Sequence, residues 1–121
     1  MRKLSLILVL AIAIWSSAII VSAQPEPVVK VIKVNDIINP SIAEYIQRSI
    51  EESEKEGAHC LIIQLDTPGG LDLAMRQIVK TIMNARIPVV VYVYPSGARA
   101  ASAGVMITMS ADIAAMAPGT N

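Results

Sequence analysis

One serine, Ser102, stands among residues with almost no side chain: Ala98, Ala100, Ala101, Ala103 and Gly104. A hydroxyl that attacks a carbonyl must be reached by the backbone carrying that carbonyl, and small neighbours leave the approach open. The apolar run Val89 to Tyr94 leads into this segment and helix-like spacing follows it. Ser102 therefore falls just inside a predicted helix start. Unpaired N–H groups and the positive end of the helix dipole favour developing negative charge there. The pattern resembles a strand–turn–helix elbow, with A-A-S-A-G in place of G-x-S-x-G. The chemistry this suggests is acyl transfer to a serine. Ser96, in the same loop before Gly97, competes for that role but lies further from the helix start.

A second small-residue turn, Asp66-Thr-Pro-Gly-Gly70, also follows an apolar run and precedes a helical pattern. Two glycines there let the chain turn sharply and leave N–H groups pointing outward, which suits an oxyanion site at Gly69 and Gly70. An ordinary strand-to-helix turn has the same composition, so the glycines alone leave both readings open. The turn lacks the G-x-x-x-x-G-K-[ST] phosphate loop. A serine also needs a general base within hydrogen-bond reach. The single histidine, His59, precedes a predicted strand, at the end opposite to the turns that follow strands. Lys30, Lys33, Lys55 and Lys80 offer no convincing alternative. One histidine, one cysteine and scattered carboxylates make no expected metal site, and no cofactor is expected.

The elements that must position these turns follow from periodicity. Val28 to Val34 reads as a strand. Ser41 opens a helix as a capping box with Glu44, with Ile42, Tyr45, Ile46, Ser49 and Ile50 as its apolar or small stripe, and Gly57 closes it. Leu61 to Leu65 reads as a strand buried on both faces of a parallel sheet. Leu71 to Ala85 has helical spacing, Val89 to Tyr94 is a further strand, Ala101 to Ser110 a short buried helix, and Asp112 to Ala117 a last strand. Strand–helix alternation of this kind predicts βαβ units in one α/β layered domain. Cys60, at the edge of a strand-like run, reads as a buried, inert thiol. The last strand predicts an open sheet edge, with poor solubility or self-association of the chain.

Of the 121 residues, 54% are hydrophobic. Part of that is an N-terminal segment in which Arg2 and Lys3 precede the apolar run Leu4 to Ile14, and Val21-Ser22-Ala23 fits a small-x-small cleavage site. Residues 1–23 are expected to be a signal peptide or, if uncleaved, an anchor; 24–27 form a Pro-punctuated linker, and 28–121 the domain. Either reading sends the domain out of the cytoplasm. Without Arg2 and Lys3, eight of the ten basic residues remain against ten acidic ones. With no basic patch, and Trp15, Tyr45, Tyr92 and Tyr94 the whole aromatic content, nucleic-acid binding is unsupported.

Taken together and in order, L-D-T-P-G-G-L at Leu65–Leu71, P-V-V-V-Y-V at Pro88–Val93, S-G-A-R-A-A-S-A-G at Ser96–Gly104 and A-P-G-T-N at Ala117–Asn121 resemble the NfeD family. These are membrane-bound serine proteases of the Clp-protease/crotonase fold, related to signal-peptide peptidase A. The resemblance implies an incomplete Clp-protease-like domain in which Ser102 is the nucleophile of a Ser–Lys dyad. It implies an oxyanion hole of backbone amides at Gly69, Gly70 and Ala103, and a catalytic lysine beyond Asn121. It implies apolar segments of membrane proteins, stomatin-like ones among them, as substrates, with membrane association and a homodimer or higher oligomer. A catalytically inert scaffold fragment is the alternative, because the lysine is missing from this stretch.

Overall fold

The computed structural model describes residues 26–121; the expected signal peptide or anchor at 1–23 lies outside them. The β-branched and apolar runs form four strands, β1 (Val29–Asn35), β2 (Cys60–Asp66), β3 (Val89–Val93) and β4 (Ile113–Met116). Three helices alternate with them: α1 (Pro40–Lys55), α2 (Asp72–Met83) and α3 (Ala103–Met109). The strands form one parallel sheet in the order β1-β2-β3-β4, with Ile63 opposite Ile32 and Val91. Each expected element exists, within a few residues of its expected ends.

The sheet order explains one departure. Parallel neighbours need crossover connections, and these are right-handed almost without exception. The order here never reverses, so successive crossovers fall on one face. Leu61, Ile63 and Leu65 of β2 and Val89, Val91 and Val93 of β3 are buried beneath the helices with Ile46, Ile50, Ile78, Ile82 and Ile107. The intervening Cys60, Ile62, Gln64, Val90 and Tyr92 are half-buried on the opposite face. The expectation that β2 is buried on both faces is therefore corrected among the described residues, and Cys60 is a half-buried rather than buried thiol.

The α1 start is a second correction. The cap is Asn39, not Ser41: its side-chain oxygen accepts the Ile42 N–H at 3.0 Å, and Pro40 occupies the first helical position. Proline needs no N–H partner there, and an asparagine cap contributes about 1 kcal/mol. The buried stripe is Ala43, Ile46, Ile50 and Ser53, while Tyr45 is exposed. At the other end Gly57 takes φ 69°, and the Ala58 N–H reaches the Ser53 carbonyl, closing the helix as expected. α3 is shorter than expected and exposes Val105, Met106 and Met109. No helix of the described residues is long and apolar enough to cross a membrane.

Candidate functional site

β2 and β3 finish at the same end of the sheet, and the two turns that follow them are laced together. Thr67 pairs with Ala100 in a parallel bridge: the Thr67 N–H donates to the Arg99 carbonyl at 2.7 Å, and the Ala101 N–H donates to the Thr67 carbonyl at 3.1 Å. Asp66 adds a side-chain contact, one carboxylate oxygen accepting the Arg99 N–H at 3.0 Å. On its other side this loop is held by the segment after β4. The Gly97 N–H donates to Gly119 (3.0 Å), the Ala100 N–H to Asn121 (2.8 Å), and the Asn121 N–H to Ala98 (3.1 Å). Ala98 and Ala100 are buried between these partners.

The lacing carries Ser102 to the glycine turn. A Cβ added to Gly69 would lie 2.7 Å from the Ser102 Cβ and 3.2 Å from its hydroxyl oxygen, so the serine occupies the space a larger residue at Gly69 would fill. Ser102 is exposed, at φ 53° and ψ −113°, immediately before α3. Among non-glycine described residues it alone has positive φ. Such backbone costs about 1–3 kcal/mol and collects at functional turns. Its hydroxyl caps no N–H of α3.

The glycines differ from each other. The Gly69 N–H is buried and donates to the Thr67 hydroxyl oxygen at 3.1 Å, while its carbonyl accepts the Ile38 N–H at 2.8 Å. Gly70 pairs with Ile38 through its neighbours, because the Leu71 N–H donates to the Ile38 carbonyl at 2.8 Å. The Gly70 N–H therefore points away from Ile38. Within the described residues, the N–H groups of Gly70 and Ala103 donate to no backbone carbonyl. The structure thus brings Ser102, Gly69, Gly70 and Ala103 into one cluster, with the Gly69 N–H already engaged.

Ser96 sits apart, on a turn at Pro95–Ala98 whose hydroxyl lies beside Gly119. His59 lies at the start of β2, where its Nδ1 accepts the Val28 N–H at 3.2 Å. Lys30 pairs with Glu56, and Lys55 and Lys80 occupy the last turns of α1 and α2. His59, Lys30, Lys55 and Lys80 stand at the opposite end of the sheet from Ser102, while Lys33 lies in β1 opposite Gln64. No group of three or more metal-ligating side chains occurs among the described residues.

Two segments quoted for their motifs have structural roles that the sequence pattern does not predict. Thr67 is fully buried at the centre of the cluster, and Ala117–Asn121 braces the serine loop. Both act by backbone pairing across long sequence separations, which periodicity does not register. The nearest signal was the hydroxyl at Thr67 inside the D-T-P-G-G turn.

Residues 28–121 match the family described as NfeD1b, N-terminal domain. The chain is 44% identical over 94 residues to the membrane-bound protease PH1510 of Pyrococcus horikoshii. It is 35% identical over 91 residues to the membrane protein NfeD1b of Bacillus subtilis. These alignments cover 78% and 75% of this chain but 21% and 20% of those proteins, so the chain spans about a fifth of the length of these curated relatives. Among solved structures, a serine-to-alanine mutant of the 1510-N membrane-bound stomatin-specific protease superposes with a TM-score of 0.79 at 41% identity, covering 80% of this chain and 47% of that one. A lysine-to-alanine mutant of that protease, in complex with a substrate peptide, gives 0.78 at 42% identity over 80% and 44%. ClpP1 from Listeria monocytogenes gives 0.68 at 23% identity over 74% and 52%, a likeness of fold.

Proposed function

Because this chain belongs to the NfeD1b N-terminal domain family and has its Clp-protease-like fold, we propose that it is the nucleophile-bearing part of a membrane-associated serine endopeptidase. Ser102 attacks the scissile carbonyl. The amides of Gly70 and Ala103 receive the oxyanion, a role the engaged Gly69 N–H does not share. The observation that carries this reading is the strained, exposed Ser102 set against Gly69, beside two N–H groups without backbone partners. Donors aimed at developing charge are worth about 100- to 1,000-fold in rate each.

The base is a lysine supplied by chain beyond Asn121, following the family pattern. Lysine acts as a base when burial lowers its pKa, and enclosure by further chain or by a second copy in a dimer or higher oligomer provides that burial. The substrates are apolar segments of membrane proteins, by analogy with a protease described as specific for a stomatin homologue. The apolar N-terminus supports a domain outside the cytoplasm.

In the full-length protein, Ser102→Ala should abolish cleavage of an apolar peptide while Ser96→Ala should retain it. Cleavage surviving Ser102→Ala overturns the assignment. A second reading, an inert scaffold fragment, is favoured by the positions of His59, Lys30, Lys55 and Lys80 at the other end of the sheet. Labelling of Ser102 in the 121-residue chain by a fluorophosphonate counts against that reading.

A further inference from the structure

The geometry points to Thr67 as a positioning residue of this site, one whose hydroxyl orients the glycine turn so that the Gly70 N–H faces the reacting carbonyl. The inference rests on the serine-peptidase reading for its chemistry and on the turn alone for its geometry. Thr67 has no exposed surface. Its hydroxyl oxygen accepts the Gly69 N–H at 3.1 Å and stands 3.2 Å from the Gly69 carbonyl oxygen, to which it donates. One hydroxyl thus grips both peptide planes that meet at Gly69. The second plane also contains the Gly70 N–H. A trans peptide is rigid and its C=O and N–H point in opposite directions. Fixing the Gly69 carbonyl against Thr67 and Ile38 therefore aims the Gly70 N–H the other way.

The rest of Thr67 registers this turn against the serine. Its carbonyl accepts the N–H of Ala101, the residue before Ser102. Its methyl carbon meets Gly104, two residues after Ser102, so closely that a Cβ there would come within 2.7 Å. The methyl packs against Gly104 while the hydroxyl on the same carbon faces Gly69. Thr67 consequently touches the chain on both sides of the nucleophile and holds the peptide that carries the proposed oxyanion donor. Without the hydroxyl the buried Gly69 N–H loses its acceptor, and the turn gains a reason to rotate.

Thr67→Val replaces the hydroxyl by a methyl at nearly constant volume; Thr67→Ser keeps the hydroxyl and removes the methyl. The test measures cleavage of an apolar peptide by the full-length protein, together with amide hydrogen exchange at Gly69. Thr67→Val should lower kcat about 100-fold with KM nearly unchanged, the scale of a misplaced reacting geometry. Its Gly69 amide should exchange faster than wild type while the core amides of Ile63 and Val91 stay protected. Thr67→Ser should keep kcat within about threefold and Gly69 protected, although the lost methyl loosens packing. Equal losses in both variants, or a Thr67→Val enzyme with wild-type kcat and a protected Gly69, overturn the role of Thr67. Failure of the underlying reading looks different: cleavage then survives Ser102→Ala, while the contrast in Gly69 exchange between the two variants still decides the turn geometry.

Discussion

The two ends of the sheet treat their polar groups in opposite ways. At the end where strands begin, the groups satisfy one another. His59 and Val28 exchange two hydrogen bonds, through His59 Nδ1 and through the Val28 carbonyl. The Asp112 carboxylate accepts the Val89 N–H at 2.8 Å while its own N–H donates to the Val89 carbonyl. Glu54 takes the Arg86 N–H at 2.7 Å with one oxygen and the Arg86 guanidinium at 2.7 and 2.9 Å with the other. At the end where strands finish, a serine hydroxyl and two N–H groups are left without such partners, beside the strained backbone of Ser102. The difference separates groups that hold a fold together from groups held ready for something else. It also shows why His59, the one conventional base of the chain, belongs to the first class.

The largest effect that sharpens this contrast is steric. Gly70→Ala places a Cβ against the backbone of Ile38, where nothing flexible can yield. The turn must shift, and a loss of about 3 kcal/mol or more is expected, in the range of severe backbone substitutions. Gly57→Ala is the control at the other end. Gly57 has φ 69° but open space around it. The conformational cost alone therefore applies, about 1–2 kcal/mol. Urea midpoints of the two variants check the ranking. Equal losses would mean that the glycine turn is no tighter than a helix cap.

A smaller effect tests the satisfied end. The N–H and guanidinium of Arg86 hold the Glu54 carboxyl below its ordinary pKa of 4.5, the backbone N–H being the larger cause. A lowered folded pKa means that the pair contributes fully above the unfolded value and loses that contribution as pH falls through the folded one. Glu54→Gln should therefore cost about 1–2 kcal/mol at pH 7, as expected for charge-assisted hydrogen bonds. The gap between variant and wild type should narrow as pH falls through the lowered folded pKa of Glu54. A gap that persists unchanged in acid would show that packing, not charge, ties α1 to the start of β3.

The contrast between the two ends was only partly visible in the amino-acid order. Alternating apolar runs revealed the seven elements because burial imposes a period on each, and Ser102 with Gly69-Gly70 stood out by small size alone. What stayed hidden was relational. Asn39 rather than Ser41 caps α1, because the chain needs Pro40 at the first helical position and a local acceptor just before it. The single covered face of the sheet follows from strand order, which no local window contains. Thr67 and Asn121 reach the serine loop through backbone bonds that leave no mark on composition. The family likeness joined the two turns before geometry did, but it did not distinguish the engaged Gly69 N–H from that of Gly70.

The smallest expected change carries a sign rather than a size. Ser102 sits at φ 53° and ψ −113°. That conformation disfavours any residue with a Cβ. Glycine removes that penalty but adds about 0.5–1 kcal/mol of unfolded-chain freedom. The net result of Ser102→Gly should be a gain of about 0.5–1 kcal/mol, since the strain is the larger quantity. Ser102→Ala keeps its Cβ and should leave stability unchanged. Ser49 supplies the opposite case: it is helical, unstrained and donates its hydroxyl to the Tyr45 carbonyl at 2.8 Å. There the same change to glycine should cost about 0.5–1 kcal/mol. Thermal or urea unfolding of the three variants decides the matter. A chain stabilised by glycine at Ser102 and destabilised by it at Ser49 stores strain at its candidate nucleophile, and stability yields to function at that one position. A loss at both serines would make the Ser102 backbone ordinary and remove the strongest physical reason for singling it out.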